Sequence, residues 1–437
     1  MILRTTLWRT LVFRAFLFCA FFGCGFLRAQ YVAIPDSGFV VWLNATYPLC
    51  MHADSLDTTC TAVLTAKSLN TSYHRISSLE GAQYFKSLDS LKCNADTTLT
   101  YIPVLPRTLR VLECRNDSLT FLPALPDSLY RLECEFNVLG NLPALPASLR
   151  TLSCYNNHLA SLPILPTGLR ALYCSGNKID SLPALSDSLI VLSCYANRLI
   201  GLPTLKNVLR DLICNDNTLE GLPALPASLR NLDCYSNWLY SIPTLPDSLQ
   251  ALSCSYNRLN SLPALPRGLT MLNCEHNAIT SLPQLPDSLF QLFIDNNPNL
   301  HCLPLLNTIV DFEFYNTGIA CWPNAGNVYI SNPDTLNICD STFNPYGCLQ
   351  INAVKEIAKP SFSIYPNPAK AFFTITVDDK TVGGNMRLVD NTGRLVRTVK
   401  LQQVNSTIET NNLVAGLYIV LINDSQGLTA VSKLIIE

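Results

Sequence analysis

The chain is short of charge. Only 14% of its 437 residues are charged, against about 25% in an average soluble protein. Its net charge is −2, and so weak a field excludes a nucleic-acid binder, which needs a basic surface. Disorder is excluded as well, because 48% of the residues are hydrophobic and such content buries itself. Histidine is scarce: His52, His74, His158, His276 and His301 stand singly, without metal-ligand spacing. G-x-S-x-G, phosphate-loop, H-E-x-x-H and EF-hand patterns are missing. No catalytic residue, metal or cofactor is therefore expected. Beyond the first 29 residues no apolar run reaches the roughly 18 residues of a membrane-spanning helix.

The first 29 residues read as an export signal. Arg4 and Arg9 supply the positive start, an apolar stretch follows from Leu11 to Leu27, broken by Arg14, and Ala29 offers a small residue at the cut. The competing membrane anchor is too short, since the uninterrupted run is Ala15–Leu27. A lipid-anchored Cys24 is a further alternative, with a poor lipobox before it. Losing the leader removes four Arg and takes the charge from −2 to −6. The mature chain is expected to reach the periplasm and then the outside.

What the chain has in plenty is Pro and Cys, 28 and 18 of them. Both follow from a repeat of twenty residues, L-x-x-L-x-C-x-x-N-x-L-x-x-L-P-x-L-P-x-S, running from about Ala66 to Pro323. Leu112, Leu132 and their successors to Leu292 recur without a slip, and Cys114 to Cys274 keep step two residues later. Asn137 begins a third ladder that reaches Asn297. The unit resembles the leucine-rich repeat, in its short LPxLP class. Each position has a mechanical reason. Leu112-x-Cys114 makes a short strand with inward alternate side chains, so every turn adds one strand to a parallel sheet. The Asn can bond backbone groups left unpaired inside the coil. The two Pro of each step disfavour helix, so the convex return path should be extended. Twenty of the 28 Pro lie in these steps.

The expected fold is mostly β: a leucine-rich-repeat solenoid with a parallel sheet and an extended convex side. About thirteen strands give a sheet on the order of 60 Å long. Solenoid ends need covers, so residues 30–65 are read as an N-terminal cap, 66–323 as the coil, 324–350 as a C-terminal cap and 351–358 as a linker.

Ten cysteines, Cys93 and the nine from Cys114 to Cys274, sit at the inward strand position. Neighbours there lie about 4.8 Å apart with parallel Cβ directions, too far for a disulfide. They are expected to be buried free thiols that pack as small hydrophobes. Six cap cysteines remain. Cys50 and Cys60 can close a local loop. Cys302, Cys321, Cys339 and Cys348 allow three connectivities, of which 302–321 with 339–348 is preferred because 302 and 321 hold equivalent places in adjacent turns.

After Cys348 the composition changes. Short alternating runs, among them Phe372–Val377, Met386–Val389, Leu395–Leu401, Gly416–Ile422 and Ser432–Ile436, read as a small antiparallel β-sandwich. Residues 359–437 resemble the C-terminal sorting domain of the type IX secretion system. The residues that carry the likeness are Tyr365, Pro366, Asn367 and Pro368, then Asp390, Gly393 and Arg394, then Gly416, Leu417 and Tyr418, with Lys433 near the end. The resemblance implies the type IX machinery as a partner and a secreted or surface-attached destination. An unrelated immunoglobulin-like module is the alternative. LPxLP repeats also occur in bacterial effector ubiquitin ligases, but residues 351–437 do not resemble their helical catalytic domain.

With no catalytic constellation, function falls to the concave face. The expected ligand surface comprises Glu113, Glu133, Tyr155, Tyr173, Tyr195, Asp233, Tyr235 and Tyr256, with the tyrosines at its centre because they offer amphipathic contact at low entropic cost. Arg110, Arg150, Arg170, Arg210 and Arg230 should line one rim. The recurrent Asp-Ser-Leu resembles a bacterial O-glycosylation acceptor and equally makes the turn into each strand. The implied function is recognition of an unidentified protein or glycan. The alternatives are adhesion to host or neighbouring cells and a passive structural role at the surface.

Overall fold

A computed structural model describes residues 30–437 apart from 97, 307–308, 324–327, 331–338, 340–343, 349–361, 380, 392 and 424–428. The leader and the linker therefore lie outside the described residues.

The coil opens on a small cap. Strands β1 (Tyr31–Ala33), β2 (Met51–His52) and β3 (Ser55–Asp57) form an antiparallel sheet in the order β1-β3-β2. Between β1 and β2 runs helix α1 (Ser37–Thr46), and after β3 comes the short α2 (Thr61–Thr65). Asp36 caps α1: its Oδ1 accepts from the Phe39 N–H at 2.8 Å, and its Oδ2 accepts from the Ser77 and Ser78 N–H groups. Burial acts to raise its pKa, yet these hydrogen bonds and that from the Ser77 hydroxyl hold it below the ordinary carboxylate value. One side chain thus starts the helix and fastens the cap to the coil. A Cys50–Cys60 disulfide closes the same end.

The body is a fourteen-stranded parallel sheet in strict chain order. It starts with β4 (Ser68–Asn70) and β5 (Ser90–Lys92). Strands β6 to β15 then recur every twenty residues from Val111–Glu113 to Gln291–Phe293, followed by β16 (Ile309–Glu313) and β17 (Val328–Ile330). Register is one-to-one through β16, Leu172 beside Leu192 beside Leu212, and shifts between β16 and β17. The strand count exceeds the expected thirteen by β17, which lies within the segment read as a cap. Each turn buries its strand Leu and Cys together with the convex leucines, as Leu112, Cys114, Leu119, Leu122 and Leu129 do. The convex side between strands carries no helix from residue 99 to 306, as the proline steps predict.

Polar ladders close the backbone inside the coil. The Asn137 carboxamide donates to the Cys114 and Cys134 carbonyls at 2.7 and 3.2 Å and accepts from the Leu119 N–H at 3.0 Å. The pattern repeats up to Asn297, which bonds Cys274, Ile294 and Ile279. To bring the Asn inward, the residue before it adopts left-handed backbone, φ near +50°, in turn after turn: Phe136, Asn156, Gly176, Ala196 and Tyr256 are examples. The serines of the Asp-Ser-Leu steps form another ladder: Ser128, Ser248 and Ser288 donate to the Leu109, Leu229 and Leu269 carbonyls of the preceding turn at 2.6–2.7 Å.

All ten ladder cysteines are free and buried. Burial drives their pKa values upward, that of Cys174 and Cys254 to about 12, so they stay protonated and inert. At the C-terminal end the disulfides differ from the preferred pairing. Cys302 joins Cys348, and Cys321 joins Cys339. The reason is the one that keeps the ladder reduced. Equivalent positions in adjacent parallel turns project side by side, whereas Cys348 and Cys339 come within bonding distance of Cys302 and Cys321. The Cys339 N–H bonds the Trp322 carbonyl at 2.7 Å, and Asn344 clamps the backbone of Cys348.

The C-terminal residues form the expected sandwich with two extra strands. Strands β18 (Phe362–Tyr365), β19 (Phe372–Val377) and β22 (Asn405–Glu409) make one sheet. The other contains β20 (Asn385–Asp390), β21 (Leu395–Lys400), β23 (Gly416–Asn423) and β24 (Thr429–Ile436), in the order β21-β20-β23-β24. Phe373, Ile375, Met386, Leu388, Val420 and Leu434 fill the space between them. Among the described residues no helix is long and apolar enough to cross a membrane.

Candidate binding face

Three side chains per turn project from the sheet away from the core: those before the Leu, between Leu and Cys, and after the Cys. The face they build has three unlike regions, and each follows from which residues the register brings together.

At its N-terminal end the face is an internal network of ion pairs. Arg115 lies among Glu113, Glu133 and Glu135, with 3.0 Å to Glu135 and a still shorter contact to Glu133. Lys92 reaches Glu113 at 3.1 Å, and Arg131 lies 3.8 Å from Glu133. Glu113 and Glu135 are buried. Glu113 and Glu133, anticipated as ligand contacts, are thus placed in an internal network.

The middle carries the tyrosines. Tyr155, Tyr173 and Tyr235 are half-buried, while Tyr195 is 37% exposed and Tyr256 54% exposed. Phe136 meets Tyr155 edge-on at 5.1 Å. Tyr256, on a left-handed residue, stacks on His276 at 4.0 Å, and Asn296 bonds that ring at 2.9 Å. Beside Tyr235 the Asn215 amide donates to Asp216 at 2.7 Å, and Asn231 donates to Asp211. Oδ1 of Asn215 and Oδ1 of Asp233 are buried without a hydrogen-bond partner. Burial pushes the Asp233 carboxyl up to about 6, against hydrogen bonds from Tyr235 and Ser253 that lower it. Burial likewise raises Tyr155 and Tyr235, helped by Glu135 beside the first and Asp216 beside the second.

Towards the C-terminal end the face turns acidic. Carboxylate oxygens of Glu275, Asp295 and Glu313 lie within 4.8 Å of one another. Burial raises the pKa of Asp295 and Glu313, and Asp295, Glu275 and Asp311 raise Glu313 further. From Thr151 to Tyr315 the outward strand positions hold no Lys or Arg but include Asp211, Asp233, Glu275, Asp295, Asp311 and Glu313. The anticipated site contained only Asp233 of these. The signal was in the sequence, as the absence of cations from three columns of the repeat. The rim arginines Arg110, Arg170, Arg210 and Arg230 are exposed and Arg150 is half-buried.

In the C-terminal sandwich the motif residues assemble in two places. Asn367 ties the start of the domain to its last strand, donating to the Lys433 carbonyl at 2.8 Å and accepting from the Ile435 N–H at 2.9 Å. Asp390 and Arg394 pair at 3.0 Å across a turn whose Gly393 has φ +84°. Tyr418 is buried and donates to the Val414 carbonyl, while Leu417 is exposed.

Comparison with known proteins agrees with this division. Residues 363–437 match the family described as "Secretion system C-terminal sorting domain". No curated protein matches the chain. Among solved structures the chain is similar to YopM, a leucine-rich effector protein from Yersinia pestis, at 27% identity over 61% of this chain and 89% of that one, TM-score 0.49. YopM from Yersinia enterocolitica WA-314 is 28% identical over 56% of this chain and 69% of its own, TM-score 0.41. The functional domain of InlJ from Listeria monocytogenes, which includes a cysteine ladder, is 19% identical over 94% and 99%, TM-score 0.44.

Proposed function

For a leucine-rich-repeat chain with a cysteine ladder and a secretion-system sorting domain, which the coil and residues 363–437 make this one, we propose a secreted or surface-displayed binding protein. Its export begins with cleavage of the leader and passage to the periplasm, and its sorting domain engages the type IX machinery. Its ligand is a protein or glycan held on the concave face.

The observation that carries this reading is the tyrosine-centred middle of the face, where one buried oxygen of Asn215 and one of Asp233, Oδ1 in each, have no hydrogen-bond partner within the chain. Buried acceptors favour a ligand that brings donors, such as glycan hydroxyls or the basic groups of a protein. Tyr155, Tyr173, Tyr195 and Tyr235 supply amphipathic contact around them. The test is a glycan array and a surface pull-down with the mature chain, repeated with Tyr195→Ala plus Tyr235→Ala. A ligand lost in the variant at unchanged melting temperature supports the placement. Unaltered binding removes the tyrosines from the site, and no specific ligand at all favours a structural role.

A further inference from the structure

The sorting domain's larger sheet is apolar on both faces. In β23 the run Leu417-Tyr418-Ile419-Val420-Leu421-Ile422 has no polar alternation, the pattern of a strand covered on both sides. Tyr418, Val420 and Ile422 face the sandwich core. Ile419 and Leu421, with Val389 of β20, point the other way and are still buried, at 6%, 2% and 0% exposed.

What covers them is the solenoid. Phe290 and Val310, 1% and 7% exposed, pack against Val389, Ile419 and Leu421, with Leu395 and Val431 at the margin. The Thr270 hydroxyl donates to the Gly393 carbonyl at 2.8 Å. Gly393 comes so close that a Cβ there would lie 2.9 Å from the Met271 Cβ.

The repeat itself records this contact. Thr270, Phe290 and Val310 occupy the rim column that holds Arg110, Arg150, Arg170, Arg210 and Arg230 in earlier turns. The column holds Arg in five of its first seven turns, with Tyr130 and Ile190 between them, then passes through Gln250 and Thr270 to two consecutive apolar residues, Phe290 and Val310, where the sorting domain sits. Phe290 and Val310 are buried by that contact, whereas Ile190, the other aliphatic residue of the column, stays partly exposed.

We propose that the last turns of the coil are a receptor patch for the chain's own sorting domain. The two parts are clasped through Phe290 and Val310 on one side and Val389, Ile419 and Leu421 on the other. The clasp withholds the outer sheet face of the address from other proteins while the chain is whole. Separation uncovers an apolar patch on each partner.

The test uses the full mature chain and two variants. Phe290→Asp with Val310→Asp places charge in the patch, and Gly393→Asn inserts a side chain at the closest approach while keeping a residue that tolerates left-handed backbone. Small-angle scattering should show a larger radius of gyration for both variants. Binding of a hydrophobic dye should rise about twofold or more. Circular dichroism and the melting transitions of the two parts report that each remains folded. Binding at the tyrosine-centred middle of the concave face, which neither variant touches, should be unchanged. A wild-type chain that already scatters as two tethered bodies would overturn the clasp. Variants indistinguishable from it in size and dye binding would do the same.

Discussion

The first repeats contain a substitution whose cost depends on pH. Asp117 stands three residues after Cys114, where later turns carry Asn. Its Oδ1 accepts from the Asp96 N–H at 2.8 Å, as Asn137 accepts from Leu119. Its Oδ2 is buried and has no partner. At the same repeat position Asn137 carries an amide nitrogen that donates to two cysteine carbonyls. A buried carboxylate has no proton to offer, and only the protonated acid can donate. Burial accordingly pushes the group up to about 8, from 3.8. At about 1.4 kcal/mol per pH unit the full span is near 6 kcal/mol. Residual access to solvent reduces this to about 2–3 kcal/mol. Since the folded-state pKa is raised, the group's favourable contribution is complete below pH 3.8 and is lost as pH climbs towards 8. Asp117→Asn should match the wild type near pH 4 and exceed it by about 2–3 kcal/mol at pH 8. Urea unfolding of both proteins at pH 4, 6 and 8 checks this, because titrating groups not coupled to Asp117 cancel in the difference and Asp96, which raises Asp117 further, acts in the same direction. A difference that stays constant with pH, or an Asn variant less stable at pH 8, refutes the reasoning.

Other outcomes follow from the ladders. Asn217→Ala strands the Cys194 and Cys214 carbonyls and the Leu199 N–H, and should cost about 3 kcal/mol or more by chemical denaturation. Cys194→Ser puts a hydroxyl at a fully buried position and should destabilise by about 1–3 kcal/mol, whereas Cys194→Ala should cost less. A thiol reagent should find almost no reactive groups in the native chain and the ten ladder thiols after denaturation; native reactivity at several of them would mean an open coil. Ala196→Gly relieves a left-handed residue with φ +51° and should raise stability by about 1 kcal/mol, read as a shift in the urea midpoint.

The coil was legible because each repeat states its own mechanics. Leu112, Cys114, Asn137 and Pro123 each specify one element of the turn, and repetition multiplies the signal. The left-handed residue of each turn was not legible, because it is Phe136 in one place, Ala196 in another and Gly176 in a third. Backbone geometry imposed by the Asn ladder overrides side-chain preference there. The Cys50–Cys60 bridge was legible as a local loop, but the C-terminal disulfides were misread because two equivalent loop positions looked like neighbours, although parallel stacking holds them side by side. On the candidate face the tyrosines were visible from strand alternation. The fate of Glu113 and Glu133 depended on Arg115 reaching across turns, a matter of long side chains that a pattern of positions does not encode. The docking of the sandwich was written in the column from Arg230 to Val310, but its meaning required knowing what lay opposite.

The division of the cysteines also sets the order in which the molecule can be assembled correctly. Beyond residue 29 the chain carries sixteen cysteines, ten in the ladder and six in the caps. Oxidised at random, they would be locked into wrong partners long before the right three were found. Coiling needs no oxidant, since the turns close on leucine and asparagine. Once it is done the ten are out of reach, and fifteen ways of joining six thiols remain. Burial therefore edits disulfide formation: the repeat withdraws its own cysteines from the reaction, and oxidation is left to seal the two ends.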